Sequence, residues 1–512
     1  MLHLQTPTQA VQWLKDRVRG TLCVDSRKVE VGDGFIAWPG TSVDARQFAR
    51  GAMQQGASAC LIEREGVDHF ALAGEGYASY VGLKMDTGAI AAEFFGNPSR
   101  GLSVVAVTGT NGKTSTAWWL AQALSALPGD EAQSCGVIGT LGVGVPPHVL
   151  STGLTTPDPV LLQQTLRQFV DSGLKACAIE ASSIGVTEHR LVGLEIRVAV
   201  FTNLTQDHLD YHGSMQRYWD AKRSLFNWPG LRSAVINIDD EHGAALAREL
   251  TGGPLDVWTV SMHQAARIQA RKVCYSAQGL QFDVVEADAT STIPTVFTTC
   301  TLSSRMIGAY NVSNLLGVVA AMRSLGTSLT MAVQVCSDLH PVPGRMECIG
   351  AVGEPLVAVD YAHTPDALGQ ALAALRPMAK QRKGQLWCVF GCGGDRDASK
   401  RPLMGAIAAK TSDKVVVTSD NPRSEKPEAI IAQILLGLPQ SNAVEVQVDR
   451  ARAIAQTIAR AAPQDIILIA GKGHEATQEI AGTKLEFLDR AHAEKALVAR
   501  HAATGVASGI AQ

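Results

Sequence analysis

Closely spaced cysteine pairs are missing from this chain of 512 residues. Its ten cysteines are scattered, and Cys388 and Cys392, the closest two, have three residues between them. Zinc sites and disulfide scaffolds are typically read from pairs such as C-x-x-C at fixed spacing. The sequence therefore predicts neither kind of site.

A strong charge and long apolar runs are missing too. The formal net charge is −3 at pH 7, which argues against a nucleic-acid-binding surface. No uninterrupted apolar run reaches the roughly eighteen residues of a membrane-spanning helix, and the first residues lack the basic and apolar segments of a secretory signal. We therefore expect a cytoplasmic protein without nucleic-acid partners or membrane insertion.

The length and the hydrophobic content indicate several cores. Hydrophobic residues make up 46% of a chain too long for one core. Turn-rich segments at 96–101 and 340–345 predict domains at 1–98, 99–339 and 340–512. Short apolar runs alternate with helical patterns in the second and third domains, which is typical of mostly parallel α/β sheets. The predicted strands are 175–179, 198–201, 234–238, 356–359, 386–390, 414–418 and 465–469.

Two segments have weaker patterns. Residues 285–304 are rich in threonine and serine and poorly periodic, which predicts an irregular or β-hairpin excursion. The Ala- and Gly-containing tail after Arg500 is expected to fray.

A glycine-rich turn follows the apolar run 103–107 and leads into a helical pattern. The turn and the two residues after it read Gly109, Thr110, Asn111, Gly112, Lys113 and Thr114. A strand, a glycine turn and a helix in this order direct backbone N–H groups at an anion, while the lysine reaches β/γ-phosphates and the hydroxyl ligates Mg²⁺. Val107 stands where the standard phosphate-loop pattern has glycine, so the alternative of a turn that merely closes a βα unit stays open.

Polar residues directly follow two of the predicted strands. Glu180 comes after the strand 175–179, and His208 lies in the segment after 198–201. Ligands bind at this edge of open α/β sheets. Mg²⁺ prefers hard oxygen donors, which favours Glu180 as a ligand. Histidine is a less typical Mg²⁺ ligand, so a turn-capping role remains the alternative for His208.

Lys222 lies in an apolar helical stripe. Helical spacing places it with Met215, Tyr218 and Leu225. A lysine on a buried face is uncommon unless it is paired. Its stem could snorkel to solvent, or burial could lower the pKa of its amine so that it reacts with carbon dioxide to form a carbamate, a ready metal ligand.

The last third of the chain carries four polar clusters after predicted strands, at 360–365, 391–397, 420–423 and 471–475. Each alone could be a strand-to-helix turn. Together they are rich in Arg, Asp and Glu, which suits recognition of a small molecule with carboxylates and ammonium groups.

These segments, taken together, resemble the Mur ligase family of ATP-dependent amide-forming enzymes, nearly from end to end. The resemblance is carried by 108–114, 155–157, Asn203, Asp207, His208, Lys222, Asn311, Asn314, 343–345 and the four clusters. It implies a small N-terminal α/β domain for the UDP end of the substrate, a central P-loop sheet for ATP, and a C-terminal Rossmann-like domain for the incoming amino acid.

The resemblance also implies the substrates and cofactors. These are UDP-N-acetylmuramoyl-L-Ala-D-Glu, meso-diaminopimelate, ATP, Mg²⁺, and carbon dioxide as a carbamate on Lys222. The product amide would form on the D-Glu γ-carboxylate through an acyl phosphate, in peptidoglycan precursor synthesis. We expect a monomer.

Site residues carry over position by position. The resemblance implies catalytic roles for Lys113, Glu180, His208 and Lys222, and metal contacts for Thr114, Glu180, His208 and carbamylated Lys222. It implies ATP contacts for Gly109, Thr110, Asn111, Gly112, Lys113, Thr114, Asn311, Asn314, Arg345 and Asp360. For the muramoyl dipeptide it implies Ser26, Thr155, Thr156, Ser182, Glu188 and Arg190. For diaminopimelate it implies Arg396, Asp420, Asn421, Arg423, Gly471 and Glu475.

Arg423 is expected to select the amino acid. It closes the sequence Asp-Asn-Pro-Arg that begins at Asp420, and lysine-adding relatives usually lack this arginine. A guanidinium fits the distal carboxylate of diaminopimelate as a forked pair, and lysine offers no such carboxylate. One charge-assisted hydrogen bond predicts discrimination of about 10- to 100-fold.

Some positions depart from the family pattern or leave alternatives. Ile184 stands where histidine is common, Glu188 where glutamine is common, and Asp44 is followed by alanine instead of glycine. A general base cannot be chosen between His363 and Glu475. The rival interpretations are a lysine-adding relative, a folylpolyglutamate synthase-like ligase and a nucleotide-gated binding module without ligase chemistry.

Overall fold

The computed structural model describes residues 1–40, 43–129, 133–276, 279–287, 297–351, 353–439 and 444–508. Over these ranges the chain forms three mixed α/β domains, built on sheets of five, eleven and six strands, with a separate two-stranded hairpin. No helix in the described ranges has the length and apolar character that a membrane span requires.

The N-terminal sheet is parallel throughout, with the strand order β1-β5-β4-β3-β2. Its elements are β1 Leu2–Leu4, α1 Pro7–Arg17, β2 Leu22–Cys23, β3 Gly34–Ala37, α2 Ala49–Gln55, β4 Ala59–Glu63, β5 Tyr77–Tyr80 and α3 Leu83–Phe94.

The central sheet has a parallel block flanked by antiparallel strands. Its order is β16-β15-β14-β13-β12-β11-β6-β10-β7-β8-β9, and the strands from β14 to β7 are parallel. The strands are β6 Ser103–Thr108, β7 Cys135–Gly139, β8 Gly142–Val145, β9 His148–Leu150, β10 Ala176–Glu180, β11 Val198–Phe201, β12 Ser233–Asn237, β13 Asp256–Ser261, β14 Ile268–Ser276, β15 Gly279–Ala287 and β16 Phe297–Ser304. The helices are α4 Lys113–Ser125, α5 Pro159–Asp171, α6 Ser183–Thr187, α7 Leu209–His212, α8 Met215–Arg223, α9 Glu241–Leu250, α10 Tyr310–Ser324 and α11 Leu329–Ser337.

The third sheet has the order β17-β18-β22-β19-β20-β21, and only its β17 edge is antiparallel. Its strands are β17 Glu347–Ile349, β18 Leu356–Asp360, β19 Leu386–Phe390, β20 Lys414–Val417, β21 Val444–Val446 and β22 Ile466–Ala470, followed by the hairpin β23 Thr477–Ile480 and β24 Thr483–Glu486. The helices are α12 Pro365–Arg382, α13 Lys400–Thr411, α14 Pro427–Leu435, α15 Arg450–Arg460 and α16 Asp489–Ser508.

Strand β6 lies at the centre of the parallel block, between β10 and β11. Its side chains are buried from Val104 to Thr108, as expected of a strand with helices on both faces. Two hydrophobic clusters cover these faces, one including Trp119 of α4 and the other Phe169 of α5. The registers Glu180 to Val107 and Phe201 to Thr108 bring the carboxyl ends of the three strands to one edge.

The predicted strands agree with the structure within one residue at each end. Val198–Phe201 and Leu386–Phe390 have the predicted bounds. Of the segment 285–304, residues 297–304 form β16 against β15, and 288–296 lie outside the described residues. The domain bounds at 98/99 and 339/340 remain predictions.

The prediction of a frayed tail after Arg500 is wrong as far as Ser508, where α16 ends. Ala493, Ala496 and Leu497 pack this helix into the C-terminal core. The continuation mixes alanine with weaker helix formers such as Thr504, Gly505 and Val506, so its helix is an extension of the packed turns before it. The last four residues lie outside the described ranges.

Candidate active site

The loop after β6, residues 109–112, is the predicted phosphate loop. Two of its glycines allow it to approach its neighbours closely. Gly109 has φ +148°, and a Cβ there would lie 1.8 Å from Thr202 Oγ1. Gly112 has φ +85°, and its Cβ would lie 2.4 Å from Asn314 Oδ1. These positive φ angles favour glycine, and the absent side chains leave room for the loop to turn into α4.

The segment after β11 holds this loop through hydrogen bonds. Asn111 N donates to Asn203 Oδ1 (2.9 Å), and Thr202 Oγ1 donates to Asn111 O (2.6 Å). Lys113 Nζ folds over the turn and donates to Gly109 O (3.0 Å) and Thr110 O (2.9 Å). Burial lowers the pKa of the Lys113 ammonium, and the nearby carboxylates of Glu180 and Asp207 oppose that shift.

Glu180 gathers hydroxyl and amide donors beside the loop. Its Oε2 accepts from Thr114 Oγ1 (2.9 Å) and Thr140 Oγ1 (3.1 Å), and its Oε1 accepts from Thr140 N (2.7 Å). Gly139 makes room for the carboxylate, since a Cβ there would lie 2.2 Å from Oε1. The carboxylate and the Thr114 hydroxyl are hard oxygen donors of the kind that Mg²⁺ prefers.

A divalent cation at this position would need further ligands. In the described part of the chain, no group of three His, Cys, Asp or Glu side chains is arranged to hold a metal ion. Mg²⁺ commonly binds one or two protein ligands and completes its octahedron with water and phosphate oxygens. The Thr114 and Glu180 oxygens fit such a partial shell.

Lys222 is fully buried under the phosphate loop. Its Nζ donates to Gly109 O (2.7 Å) and lies 4.3 Å from the centroid of the Tyr218 ring. Burial, reinforced by the Lys113 ammonium, holds the pKa of this amine well below its ordinary value. The snorkelling interpretation is wrong, because the side chain has no exposed surface.

His208 adopts a left-handed backbone with φ +52° at the start of α7. Burial lowers the pKa of its imidazole to about 4, although Asp207 opposes the shift. Its Nε2 lies 3.4 Å from Asp207 Oδ2. A neutral imidazole has a ring nitrogen that can accept a proton or bind a metal.

A second cluster lies next to Glu180. Thr155 Oγ1 is 3.0 Å from Thr140 Oγ1, and Thr156 Oγ1 donates to Glu180 O (2.6 Å). Arg190 Nη1 donates to Thr156 O (2.8 Å), and Ser182 Oγ lies 3.0 Å from Thr156 Oγ1. The predicted muramoyl-dipeptide residues of the central domain are therefore contiguous with the phosphate loop.

Ser26 begins a 3₁₀ turn capped by Asp25, on the segment after β2. Strand β2 packs against α5, the helix that follows Thr155 and Thr156. Ser26 consequently lies three residues beyond a strand that contacts the central domain.

Glu188, one of the positions that depart from the family pattern, is held by an ion pair and a hydrogen bond. Lys84 Nζ of the N-terminal domain lies 2.6 Å from its Oε2, and the Tyr211 hydroxyl donates to its other oxygen. These contacts give the Glu188 carboxylate a cationic partner and a hydroxyl donor. Asp44 pairs with Arg46 within its own domain.

In the third domain, five of the six predicted amino-acid-binding residues lie around the ends of β20 and β22. Asn421 Nδ2 donates to Glu475 Oε2 (2.6 Å), and a Cβ on Gly471 (φ +115°) would lie 2.4 Å from Asp420 Oδ2. Arg423 Nη1 donates to Gly394 O (2.6 Å). Arg396, the sixth residue, lies beside Gly393, which also borders Arg423.

Hydrogen bonds join the phosphate loop to the third domain. Arg345 Nη2 donates to Thr114 Oγ1 (3.0 Å), and Asn111 Nδ2 donates to Asp366 Oδ2 (3.1 Å). Asn314 Nδ2 donates to Asn311 Oδ1 (3.1 Å) beside Gly112. Asp360 accepts from Met346 N (2.7 Å), and burial raises the pKa of its carboxyl.

Asp207 lies at the same interface. His363 Nε2 is 3.7 Å from its Oδ2, and Lys400 Nζ is 4.0 Å from its Oδ1. Although burial alone would raise it, the pKa of Asp207 is held far below its usual range by His363, His208 and Lys400. The Asp207 carboxylate is therefore ionised and links the two domains.

Sequence reasoning did not single out Thr140 or Lys472. Thr140 is the first residue after β7, so the rule that ligands bind at the carboxyl ends of parallel strands could have found it. Lys472 lies within a cluster noted from the sequence, but a sequence gives no sign that it is fully buried.

The fold and the site define a three-domain P-loop α/β protein in which the loop faces polar clusters from two other segments of the chain. The family model for the Mur ligase middle domain matches residues 107–322, and that for the Mur ligase glutamate ligase domain matches 344–473. A curated protein of Acidovorax sp. (strain JS42), UDP-N-acetylmuramoyl-L-alanyl-D-glutamate--2,6-diaminopimelate ligase, is 58% identical over 503 residues, which cover 98% of this chain and 99% of that protein. The chain belongs to the Mur ligase family.

Solved structures agree with this assignment. A structure of a UDP-N-acetylmuramoyl-L-alanyl-D-glutamate--2,6-diaminopimelate ligase is 36% identical, with a TM-score of 0.63 and coverage of 94% of this chain and 95% of that one. A MurF ligase from Thermotoga maritima in complex with ADP is 19% identical and has a TM-score of 0.63, with coverage of 94% and 96%. The second likeness shows the fold alone.

Proposed function

We propose that this protein is an ATP-dependent ligase that adds meso-diaminopimelate to the D-Glu γ-carboxylate of UDP-N-acetylmuramoyl-L-Ala-D-Glu. The proposal is carried by one observation: Thr114 of the phosphate loop is contacted by Glu180 from its own domain and by Arg345 from the third domain. This arrangement supports the proposal, because it joins the phosphate loop to Glu180 of the central domain and to the third domain. The 58% identical relative carries the corresponding name over nearly the whole chain.

Phosphoryl transfer would take place at the phosphate loop. The Lys113 ammonium and the backbone N–H groups of the loop orient the β/γ-phosphates and stabilise the charge on the transferred group. In this proposal Asn311 and Asn314 contact the adenine side of ATP, and Arg345 and Asp360 contact the nucleotide as the domains meet. Thr114 and Glu180 would hold Mg²⁺ at the phosphate loop, and His208 and a carbamylated Lys222 would provide further metal contacts. The metal would supply charge neutralisation.

The carbamate requires an unprotonated amine at Lys222. Burial and the neighbouring Lys113 favour that form. The Nζ lone pair forms a bond to the carbon of carbon dioxide, one proton leaves the nitrogen, and a carboxylate results. This converts a buried basic group into an anion beside the phosphate loop.

Amide formation would follow at the interface with the third domain. Thr155, Thr156, Ser182 and Arg190 would hold the dipeptide so that a D-Glu γ-carboxylate oxygen attacks the γ-phosphorus of ATP. The bond from this phosphorus to the β,γ-bridging oxygen breaks, ADP leaves, and the carboxylate becomes an acyl phosphate. The free amine of diaminopimelate then attacks the acyl carbon, and inorganic phosphate leaves. Domain contact excludes water from the acyl phosphate. His363 and Glu475 remain the two candidates for the general base.

The cluster in the third domain favours diaminopimelate over lysine. Arg423 and Arg396 offer guanidinium groups for the distal carboxylate, and Glu475 offers a carboxylate for the distal ammonium. The Asp-Asn-Pro-Arg sequence and the N-terminal domain argue against a folylpolyglutamate synthase-like reaction. The cytoplasmic location and the monomeric state remain expectations.

The test is phosphate release with ATP, Mg²⁺ and UDP-N-acetylmuramoyl-L-Ala-D-Glu, with meso-diaminopimelate, L-lysine or no amino acid. We expect release and a tripeptide product with diaminopimelate, and loss of both on chelation of Mg²⁺. Removal of dissolved carbon dioxide should slow turnover, and bicarbonate should restore it.

Each contrary result removes a different part of the proposal. A preference for L-lysine would contradict the role of Arg423 while keeping the ligase reaction. Release without any dependence on an amino acid would favour a nucleotide-gated module. Turnover that is indifferent to carbon dioxide would remove the carbamate alone.

A further inference from the structure

Lys472 is a fully buried lysine at the carboxyl end of β22 in the third domain. Its Nζ donates to Asn421 Oδ1 (3.1 Å), Glu475 Oε2 (3.0 Å) and Thr477 O (2.7 Å). An ammonium group has three donors, and each of them has an acceptor here. A charge without exposed surface is therefore fully satisfied by this contact set.

The hydrogen bond from Lys472 Nζ to Asn421 Oδ1 constrains which way the Asn421 amide faces. An ammonium only donates, so the amide oxygen must point toward Lys472, and Glu479 N donates to the same oxygen (3.0 Å). The amide nitrogen then points the other way and donates to Glu475 Oε2 (2.6 Å). Lys472 and the Glu479 backbone N–H thus hold the Asn421 amide in one orientation.

The same ammonium fixes one oxygen of Glu475. Oε2 is occupied by Lys472 and Asn421, whereas Oε1 faces Tyr361, whose hydroxyl lies 3.5 Å away. The Glu475 side chain is 29% exposed, in contrast with Lys472 at 0%. One carboxylate oxygen is therefore held from within the domain while the group remains accessible to a ligand.

We propose that Lys472 is a positioning residue for the amino-acid substrate, which fixes Asn421 and Glu475 without touching the substrate itself. The inference rests on the proposed function and deepens it, because it assigns the rigidity of the diaminopimelate pocket to a residue behind it. Binding of a cationic and carboxylate-bearing substrate depends on groups held in one geometry.

The test compares steady-state kinetics of wild type, Lys472→Met and Lys472→Gln, with KM measured separately for meso-diaminopimelate, ATP and the UDP-linked dipeptide. Lys472→Met removes all three donors at similar length, and Lys472→Gln keeps a polar group if the methionine variant does not fold. We expect the KM for diaminopimelate to rise by about 10- to 100-fold, as for the loss of charge-assisted hydrogen bonds. The KM values for the other two substrates should not change.

A double-mutant cycle identifies the route of the effect. If Lys472 acts through Glu475, then Lys472→Met in a Glu475→Gln background should raise the KM for diaminopimelate by much less than in wild type. The matched control is Arg323→Met. Arg323 is a networked cation of the central domain, and it donates to both Glu286 oxygens and to Thr327 O. The control should lower the melting temperature without a selective change in any KM.

The outcomes separate the two proposals. Wild-type protein without diaminopimelate-dependent phosphate release would overturn the proposed function and this inference with it. Active wild type with an unchanged diaminopimelate KM in the Lys472 variants would overturn the inference alone. A fall in stability with equal changes in all three KM values, or additive effects in the cycle, would assign Lys472 a structural role and overturn the inference.

Discussion

Two buried lysines, Lys222 and Lys472, differ in the partners that surround their Nζ atoms. Among the described contacts, Lys222 Nζ has one carbonyl acceptor and an aromatic ring, whereas Lys472 Nζ has three acceptors that include a carboxylate. Burial without a carboxylate partner favours the neutral amine. The two side chains are equally hidden from solvent, but only the surroundings of Lys222 suit a reaction of the free amine.

Arg423 supports a prediction about specificity. We expect Arg423→Met to lower kcat/KM for meso-diaminopimelate by about 10- to 100-fold, because a charge-assisted contact to the distal carboxylate is lost. The rate with L-lysine should not fall, since lysine has no such carboxylate. The measurement is phosphate release with each amino acid.

Arg452→Met is the control for Arg423, because this side chain is 75% exposed and pairs only loosely with Asp449. It should leave both rates unchanged. Equal losses with lysine and diaminopimelate in Arg423→Met would contradict the predicted contact.

At the scale of elements, helices α15 and α16 are joined by a fully buried ion pair. Arg450 Nη2 lies 2.7 Å from Asp489 Oδ2, and both side chains have no exposed surface. Arg450 also donates to Ser419 O (3.2 Å) and Ala470 O (2.9 Å). These carbonyls directly precede Asp420 and Gly471, so the pair supports the backbone that carries two of the predicted amino-acid-binding residues.

Asp489→Asn should destabilise the C-terminal domain by about 3 to 5 kcal/mol, because it leaves the Arg450 charge buried without its partner. Hydrogen exchange in peptides that cover β22 would measure this as a lower free energy of local opening. The exposed pair Arg460 and Glu445 provides the comparison. Glu445→Gln should cost less than about 1 kcal/mol, and a similar loss in both variants would contradict the role of burial.

At the scale of the whole molecule, the domains contact one another through polar residues at the site. The His474 ring of the third domain lies near the Thr140 backbone of the central domain, and its Nδ1 is buried without a partner among the described residues. Burial, with Arg345 and Lys472 nearby, lowers the pKa of His474 to about 3. The folded protein therefore keeps this imidazole neutral across the interface.

This shift predicts a pH dependence of stability. Below the ordinary histidine pKa of about 6.5, the unfolded chain binds a proton at this position and the folded chain does not, so stability falls as the pH falls toward 3. Between pH 7.5 and 5.5, wild type should lose about 1 kcal/mol more than His474→Gln, as measured by urea unfolding.

The control for His474 is the exposed His69 of the N-terminal domain. His69→Gln should lose as much stability as wild type over this pH range. An identical loss in wild type and His474→Gln would contradict the burial of a neutral imidazole at the interface.

Local patterns accounted for much of the fold and part of the site. Strand bounds such as Val198–Phe201 follow from a continuous apolar run, because a buried parallel strand needs one. The phosphate loop is predicted from the glycine spacing before Lys113. The position of Glu180 beside it is predicted from the place of this residue at a strand end. Each of these depends on residues that are neighbours in sequence, so the sequence by itself determines them.

Tertiary structure decided the contacts between distant segments. Thr140 meets Glu180, Lys84 meets Glu188, and Lys472 meets Asn421 only because strand order and domain packing bring them together. The helix α16 continues to Ser508 because its earlier turns are packed into a core that the tail sequence does not reveal. Burial and long-range contact are properties of the folded chain. The sequence therefore shows Lys472 only as a member of the cluster 471–475, whereas the structure shows that it is buried and bonded to Asn421 and Glu475.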